Sequence, residues 1–299
     1  MLKVRNLRLL SYRHSFHAGN HGDVLKHLSQ MLLIDKLKSK DKGFCYFDTH
    51  SGAGVYQLNS EESRKTNEYK NGIDRLTGLS VKNSAVSQYL SLVSAYKEFN
   101  QYPGSPEIAK SMLRPQDKIV LMEWHNQEIK NLKSNMGGKN IAIHHRDGYE
   151  GLLALTPPDM QRGMVLIDPS YEVANEYQQV VDTVTTAYKK WNSAIYAIWY
   201  PLISDRKTSN TSFDSSISKK GKSEDMLASL SEHSFKNILK IELCVTDSNE
   251  AGGMYGSGML IINAPWQFDK QIKASLQELT PLLAQSNNAS YSVDWLIED

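Results

Sequence analysis

The stretch from Gly163 to Glu172 reads GMVLIDPSYE and places an acid, a proline and a tyrosine close together. Exocyclic amines of nucleobases are poor nucleophiles, because the nitrogen lone pair is delocalised into the ring. The Asp168 carboxylate and the Pro169 carbonyl could accept hydrogen bonds from such an amine and localise its lone pair towards an incoming methyl group. Tyr171 offers a flat ring on which the base could stack. These residues indicate methyl transfer to an amine, although an isolated Asp and Pro more often mark an ordinary turn.

A buried strand must hold Asp168 in position. Met164 to Ile167 form a short apolar run with β-branched members, which is typical of a strand buried on both faces of a parallel sheet. Pro169 cannot donate to a sheet ladder, so the strand ends there and leaves the acid at its carboxyl end. Open α/β sheets bind their ligands at that edge.

Three further predicted strands are also followed or ended by an acid. The strands span residues 44–47, 118–123 and 141–144, and the acids are Asp48, Glu123 and Asp147. Glu123 is suited to accept hydrogen bonds from the two ribose hydroxyls of an adenosine, and Asp147 from an adenine amino group. One such acid is usually surface decoration, but four acids in series at strand ends indicate a binding edge.

A glycine-rich turn follows Asp48 and includes Gly52, Ala53 and Gly54. Such a turn lets the backbone approach a nucleoside cofactor closely. The dinucleotide fingerprint requires a further glycine at position 57, which is Gln57 here, so NAD is disfavoured. The Lys and Ser/Thr of a phosphate-binding P-loop are also missing.

The composition is that of an ordinary globular protein, with 40% hydrophobic and 22% charged residues and a net charge of +1. This charge neither demands nor excludes a nucleic-acid partner. No apolar run approaches the ~20 residues that span a bilayer, and the N-terminus lacks a signal-peptide core, so we expect a cytoplasmic protein. Cys45 and Cys244 lie in apolar runs and are expected to be reduced thiols.

The first stretch of the chain is rich in basic residues and histidines. Four histidines lie within residues 14–27, and His17 and His21 have the spacing that shares a helix face. No HExxH motif, cysteine pair or carboxylate cluster accompanies them, so no metal site is predicted. The basic residues could contact phosphates, and a solvated tail is the alternative.

The order of predicted elements indicates an α/β protein with an insertion. Residues 1–55 and 103–299 alternate strands with helices, and residues 56–102 are polar with helical spacing, which predicts an inserted helical subdomain that forms a lobe or lid. The apolar runs 238–245 and 259–263 are close enough in sequence to pair antiparallel. The complete sheet is then expected to have seven strands.

Distinctive motifs cover nearly the whole chain from Leu10; they are SYRHSFHAGNHGDVLKH, DTHSGAG, PGSP, RDGYEGL, LIDPSYE and GSGMLIIN. Together they resemble the 23S ribosomal RNA adenine methyltransferases of the RlmJ type. The resemblance implies a class I S-adenosylmethionine-dependent methyltransferase, with a Rossmann-like sheet, that acts on the 6-amino group of one adenine in 23S ribosomal RNA. We expect it to be a monomer without a metal ion.

Matched position by position, the resemblance implies a set of contacts to S-adenosylmethionine. They come from His27, His50, Ser105, Glu123, Asp147, Gly148 and Asp168. It further implies that Asp168 is the catalytic acid and that Tyr12 contacts the RNA, within an N-terminal segment 10–27 that serves substrate and cofactor. The family normally carries a second proline where this chain has Ser170. Its loss removes a constraint on the carbonyl of Pro169, and reduced or lost activity would follow from poor geometry there.

Two alternative functions stay open on the sequence alone. A protein that kept the fold but lost catalysis would bind nucleic acid without turning over a cofactor, for example in the use of external DNA. A DNA adenine methyltransferase would use the same site on a different nucleic acid. Binding of S-adenosylmethionine tests the first alternative, and a comparison of RNA with DNA as substrates tests the second.

Overall fold

The fold was obtained as a computed structural model, which describes residues 13–204, 221–250 and 252–298. Tyr12 and its expected contact with RNA therefore lie outside the described residues. Within these ranges there are ten strands: β1 (Cys45–Asp48), β2 (Val55–Gln57), β3 (Gln101–Pro103), β4 (Lys118–Glu123), β5 (Ile141–His145), β6 (Gly163–Ile167), β7 (Ile195–Ile203), β8 (Ile238–Cys244), β9 (Met254–Ile262) and β10 (Ser290–Ile297).

The same ranges contain nine α-helices: α1 (His21–Lys38), α2 (Glu61–Thr66), α3 (Ser84–Lys97), α4 (Ser105–Met112), α5 (Asn126–Asn135), α6 (Gly148–Leu155), α7 (Asn175–Lys190), α8 (Lys222–Ser231) and α9 (Phe268–Leu283). Short 3₁₀ turns lie at His14–Phe16, Glu68–Asn71 and Ile73–Leu76. Helix α1 begins after Asn20, whose side chain accepts the N–H of Asp23 and caps the first turn.

Eight strands form one sheet in the order β10-β8-β9-β7-β6-β1-β4-β5, and β2 pairs with β3 in a separate ribbon. β1 is parallel to β4 and β6, and these continue in parallel to β5 and β7. β9 runs antiparallel between β7 and β8, as predicted for the last two apolar runs. The predicted α/β class with a mostly parallel sheet is therefore confirmed, and the carboxyl ends of β1, β4, β5 and β6 share one edge.

The sheet has one strand more than the seven predicted. β10 pairs antiparallel with β8 at the edge of the sheet, and most of its residues are half-buried or exposed. Its sequence, SYSVDWLI, contains too few apolar positions to signal a buried strand. An edge strand needs only one apolar face, so its pattern is weak.

β7 continues further than predicted. The apolar run 193–199, followed by Tyr200 and Pro201, predicts a strand that ends at Trp199, but β7 extends through Pro201 to Ile203. Only the first part of β7, Ile195–Ile198, pairs with β6. The rest of β7 is paired with β9 alone. A proline is tolerated in a strand where its missing N–H would face away from a neighbour.

Residues 56–102 pack on the same apolar layer as α1. The β2–β3 ribbon closes the two ends of this segment, with Val55 opposite Pro103. Buried side chains of the segment, Ile73, Leu76, Val86, Tyr89 and Val93, belong to the apolar cluster that also contains the buried face of α1. A second apolar layer on the other sheet face includes α7 and α8. The division of the chain into a core and an inserted subdomain stays a prediction.

Two expectations from composition bear on the described ranges. Within them, no helix combines the length and apolar character needed to cross a bilayer. Cys45 is buried, Cys244 is half-buried, and both are free thiols. Burial raises the pKa of the Cys45 thiol to about 12, which makes it unreactive at neutral pH.

Candidate active site

A cavity of about 490 Å³ opens at the shared carboxyl edge of β1, β4, β5 and β6. All seven residues predicted to contact the cofactor line it: His27, His50, Ser105, Glu123, Asp147, Gly148 and Asp168. They come from α1, from the turn after β1, from the first residue of α4 and from the ends of three further strands. The structure thus brings together side chains that are up to 141 residues apart in the chain, since the set runs from 27 to 168.

Asp48 is the one acid of the predicted series that does not line this cavity. Its side chain is fully buried and accepts hydrogen bonds from the hydroxyls of Tyr46 at 2.9 Å and Ser105 at 2.7 Å. Burial raises the pKa of Asp48 to about 6. The expectation that all four acids face a ligand is therefore wrong for Asp48. Asp48 instead lies beneath the cavity and orients the Ser105 hydroxyl through their hydrogen bond.

Glu123 is oriented by backbone groups on two sides. Its carboxylate accepts the N–H of Gly52 at 2.8 Å and the N–H of His125 at 2.6 Å. A carboxylate has about four acceptor sites, so further sites remain for ligand hydroxyls. Gly52 has a φ of +58°, and a Cβ there would lie 1.9 Å from the Tyr56 hydroxyl, so the turn requires glycine. Burial raises the pKa of Glu123 to about 7, although the two backbone hydrogen bonds act to lower it.

Asp147 and Gly148 line the cavity where the chain leaves β5 and enters α6. The Asp147 carboxylate caps α6 by accepting the N–H of Glu150 at 2.9 Å through Oδ1. A Cβ at Gly148 would lie only 2.0 Å from the Thr49 carbonyl oxygen. The start of α6 therefore packs directly against the turn after β1, which only a glycine at this position allows.

Two neutral histidines face the cavity. Burial lowers the pKa of His27 to about 3 and that of His50 to about 4. The Nδ1 atom of His50 lies 2.8 Å from the Thr49 hydroxyl, and Nδ1 of His27 lies 2.7 Å from the Tyr102 hydroxyl. Both imidazoles can therefore hydrogen-bond a ligand without carrying charge at neutral pH.

Lys26 is a prominent cavity residue that the sequence did not single out. Its Nζ donates to Asp168 Oδ2 at 2.5 Å and lies 2.7 Å from Asp23 Oδ1. Burial alone would lower the pKa of Lys26, but the carboxylates of Asp168 and Asp23 raise it above its usual value. The spacing of Asp23 and Lys26 on α1 was a local signal, whereas the pairing with Asp168 joins residues 142 positions apart.

Other side chains that line the cavity were also not predicted to bind a ligand; they include His14, Trp124, Glu128 and Tyr149. His14 reaches the site through the N-terminal turn, where its Nε2 lies 3.0 Å from Asp23 Oδ2. Trp124 directly follows Glu123 and is 48% exposed at the rim. Their spacing along the chain carries no pattern, which is why only the fold identifies them.

Pro169 and Tyr171 do not line the cavity. Pro169 is buried, and the Tyr171 side chain is 1% exposed. The Tyr171 ring packs against Tyr177 with centroids 4.4 Å apart, and its hydroxyl donates to the Trp199 carbonyl at 2.9 Å. The expected stacking of a base on Tyr171 does not fit this placement, because the ring is turned into the apolar layer beneath the site.

The fold and this cavity define a class of enzyme. A mostly parallel sheet in which only β9 and β10 of its eight described strands run in the opposite direction, and acids suited to an adenosine at the ends of successive strands, are the features of a class I S-adenosylmethionine-dependent methyltransferase. The cavity fits that cofactor, since Glu123 and Asp147 retain acceptor sites and His27 Nε2 is buried without a partner among the described residues. Those residues contain no cluster of three potential metal ligands.

Comparison with known proteins identifies the family. The family model described as RsmJ, Ribosomal RNA large subunit methyltransferase D, RlmJ, matches residues 41–297, and the chain belongs to this family. A Haemophilus influenzae protein named Ribosomal RNA large subunit methyltransferase J is 40% identical, over 96% of this chain and 99% of the relative. The Escherichia coli protein of the same name is 38% identical, over 97% of this chain and 100% of the relative.

A solved structure shows the same fold. The crystal structure of a Legionella pneumophila protein superposes with a TM-score of 0.78 and 34% sequence identity, covering 93% of this chain and 98% of that one. The chain is thus a methyltransferase with S-adenosylmethionine as its cofactor, and the predicted family resemblance is confirmed.

Proposed function

We propose that the protein transfers a methyl group from S-adenosylmethionine to the exocyclic 6-amino group of an adenine in 23S ribosomal RNA. The names of the relatives support large-subunit ribosomal RNA as the substrate. The choice of an amine rests on one observation, which is the position of Asp168. Its carboxylate lies at the cavity directly after β6, with 13% of the side chain exposed, and is held there by Lys26.

Asp168 is placed to accept a hydrogen bond from the target amine. Lys26 binds Oδ2, and within the described residues Oδ1 makes no hydrogen bond. An amine that donates one N–H to Oδ1 has its lone pair turned away from the ring system and towards the methyl donor. Pro169 is buried and does not line the cavity, so its carbonyl would accept the second N–H only after a shift of the segment following β6 when the base binds.

The electrostatics of the site favour the charge that develops during transfer. S-adenosylmethionine supplies a methyl group on a positively charged sulfur. As the new N–C bond formed and the S–C bond broke, the sulfur would become a neutral thioether and positive charge would appear on the nitrogen. The Asp168 carboxylate would stabilise that charge until one of the two amine protons left to solvent. Lys26 lies between the carboxylates of Asp168 and Asp23, so one ammonium offsets only one of two negative charges.

The remaining wall residues would hold the cofactor. Glu123 would accept from the ribose hydroxyls, Asp147 and Gly148 would meet the adenine, and His27, His50 and Ser105 would complete the site. A base within structured RNA must leave its stack first, at a cost of a few kcal/mol. We propose that the N-terminal segment with Tyr12, together with residues 56–102, grips the RNA around that base. The protein would act in the cytoplasm as a monomer.

The direct test uses labelled S-adenosylmethionine and protein-free 23S RNA that lacks the modification. Wild type is expected to label one adenine, Asp168→Ala to lose transfer, and Asp159→Ala, which alters an exposed acid before β6, to retain it. A DNA duplex in a parallel reaction should stay unlabelled. An inactive wild type, or full transfer by Asp168→Ala, would contradict the proposal, and labelling of DNA alone would change the substrate class.

A further inference from the structure

We infer that Tyr102 fixes the tautomer of His27, so that Nε2 carries the proton and presents a hydrogen-bond donor to the cofactor cavity. Tyr102 and its partner Tyr89 do not line the cavity, so Tyr102 is a positioning residue that acts through His27. The inference rests on the proposed role of His27 in holding S-adenosylmethionine, but the tautomer itself can be measured without the cofactor.

Three side chains form a buried chain of hydrogen bonds. His27 Nδ1 lies 2.7 Å from the Tyr102 hydroxyl, which lies 2.9 Å from the Tyr89 hydroxyl. His27 is 1% exposed, and both tyrosines are fully buried. The His27 and Tyr102 rings also stack, with centroids 5.5 Å apart and planes at 29°, which restricts the rotation of the imidazole.

The imidazole is neutral, so it carries one proton on either Nδ1 or Nε2. Burial lowers the pKa of His27 to about 3, far below neutral pH. Nδ1 faces Tyr102, whereas Nε2 is buried at the cavity without a hydrogen-bond partner among the described residues. The tautomer therefore decides whether the cavity meets a donor or an acceptor at this position.

The count of hydroxyl protons favours the proton on Nε2. In that tautomer Tyr89 donates to Tyr102, and Tyr102 donates to Nδ1, so both hydroxyl protons are used. With the proton on Nδ1, the imidazole donates to Tyr102, Tyr102 donates to Tyr89, and the Tyr89 proton finds no acceptor in the described part of the chain. Each tautomer leaves one donor without a protein acceptor, but the Nε2–H of the first faces the cavity, where a ligand or water can accept it, whereas the Tyr89 hydroxyl is fully buried away from the cavity. A buried donor without an acceptor is costly, which should disfavour the second tautomer by about tenfold.

A nearby carboxylate acts in the same direction. Asp23 Oδ1 lies 3.9 Å from His27 Nε2, which is too long for a hydrogen bond but close enough to favour an N–H over a lone pair. The Lys26 ammonium, 2.7 Å from the same oxygen, partly offsets this attraction. An Nε2–H donor is complementary to an anionic or carbonyl oxygen, such as the carboxylate of the methionine portion of the cofactor.

The tautomer can be read directly by nitrogen NMR on the full-length protein labelled with ¹⁵N-histidine. The chain has nine histidines, and the spectrum of His27→Gln identifies the His27 signals. Wild type is expected to show an unprotonated Nδ1 and a protonated Nε2. In Tyr102→Phe the Nδ1 atom loses its donor, so its signal should shift and the other tautomer should become populated.

Tyr89→Phe is the matched control within the same chain of hydrogen bonds. It removes a buried hydroxyl, but the Tyr102 proton then still has Nδ1 as its acceptor, so the tautomer should not change. Calorimetry with S-adenosylmethionine should show affinity about fivefold weaker for Tyr102→Phe and within about twofold of wild type for Tyr89→Phe. Should Tyr102→Phe fail to fold, the wild-type spectrum and Tyr89→Phe decide the question.

A wild-type His27 protonated on Nδ1 would overturn the inference, as would unchanged His27 signals or unchanged affinity in folded Tyr102→Phe. These outcomes are distinct from a failure of the proposed function. An enzyme that shows the Nε2–H tautomer and binds the cofactor but methylates no RNA would refute the substrate and leave the inference standing.

Discussion

Replacement of Lys26 by Met should destabilise the fold, because it leaves the buried carboxylate of Asp23 and the partly exposed carboxylate of Asp168 without their shared cation. Asp168 and Asp23 lie 2.5 Å and 2.7 Å from Nζ, and the Lys26 side chain is only 4% exposed. Removal of one partner from a buried ion pair costs about 3–5 kcal/mol. Asp23 keeps its hydrogen bond from the Gly19 N–H at 2.8 Å, so we expect the lower end, about 3 kcal/mol.

The cost of Lys26→Met should shrink as pH falls. Burial would raise the pKa of Asp23, but the neighbouring His14 and Lys26 hold it well below its usual range. A depressed pKa in the folded state gives stability that is present above the unfolded pKa and lost as pH falls through the folded value. The variant has less of this stability to lose, so the difference from wild type closes as pH falls through the usual Asp value of 3.8 and below.

Urea denaturation of both proteins, at neutral pH and near that Asp pKa, measures the effect. Lys38→Met is the matched control, since Lys38 lies on the same helix and pairs with Asp35 at 3.8 Å and the same sequence spacing, but with side chains 31% and 44% exposed. It should cost less than about 1 kcal/mol. Equal costs for the two variants, or a cost of Lys26→Met that grows as pH falls, would refute the reasoning.

Three further predictions concern the walls of the cavity. Gly148→Ala should abolish cofactor binding by calorimetry, because its Cβ would lie 2.0 Å from the Thr49 carbonyl; binding at wild-type affinity would show that the turn can yield. Glu123→Gln should raise stability at pH values above the wild-type pKa of about 7. The folded-state pKa of Glu123 is raised, so the wild type loses stability as pH rises from 4.5 to about 7, and the variant should not. If the unfolding free energy, measured by urea denaturation, depended on pH equally in both proteins, this prediction would be contradicted. Tyr171→Ala should cost about 3–5 kcal/mol in unfolding free energy, as for any buried aromatic ring, whereas a small cost with loss of RNA binding would restore its role as a stacking surface.

The parts of the site that sequence could predict are those encoded locally. Each parallel strand is a short apolar run, and Glu123, Asp147 and Asp168 lie where a run ends, so their arrangement along one edge followed from the topology of parallel sheets. Asp48 follows the same pattern but is turned beneath the cavity by Tyr46 and Ser105. The pattern of strand ends predicts the edge that an acid occupies, but not the direction of its side chain.

The parts that could not be predicted depend on contacts between distant segments or on single dihedral angles. Lys26 meets Asp168 only because α1 packs against the sheet. Tyr171 has a φ of +51°, a left-handed conformation that is uncommon for a tyrosine and turns its ring into the apolar layer. Nothing in the residues beside it requires that angle, so the expected exposure of the ring was wrong.

The single apolar layer shared by α1 and residues 56–102 has a consequence for engineering. Excision of those residues would expose apolar side chains of α1, the helix that carries Lys26 and His27. The exposed apolar surface would cause the shortened chain to aggregate. Heating the intact protein should accordingly give one calorimetric peak rather than two. A graft that aims to retarget this enzyme should therefore keep the buried face of α3 and alter only its outer side.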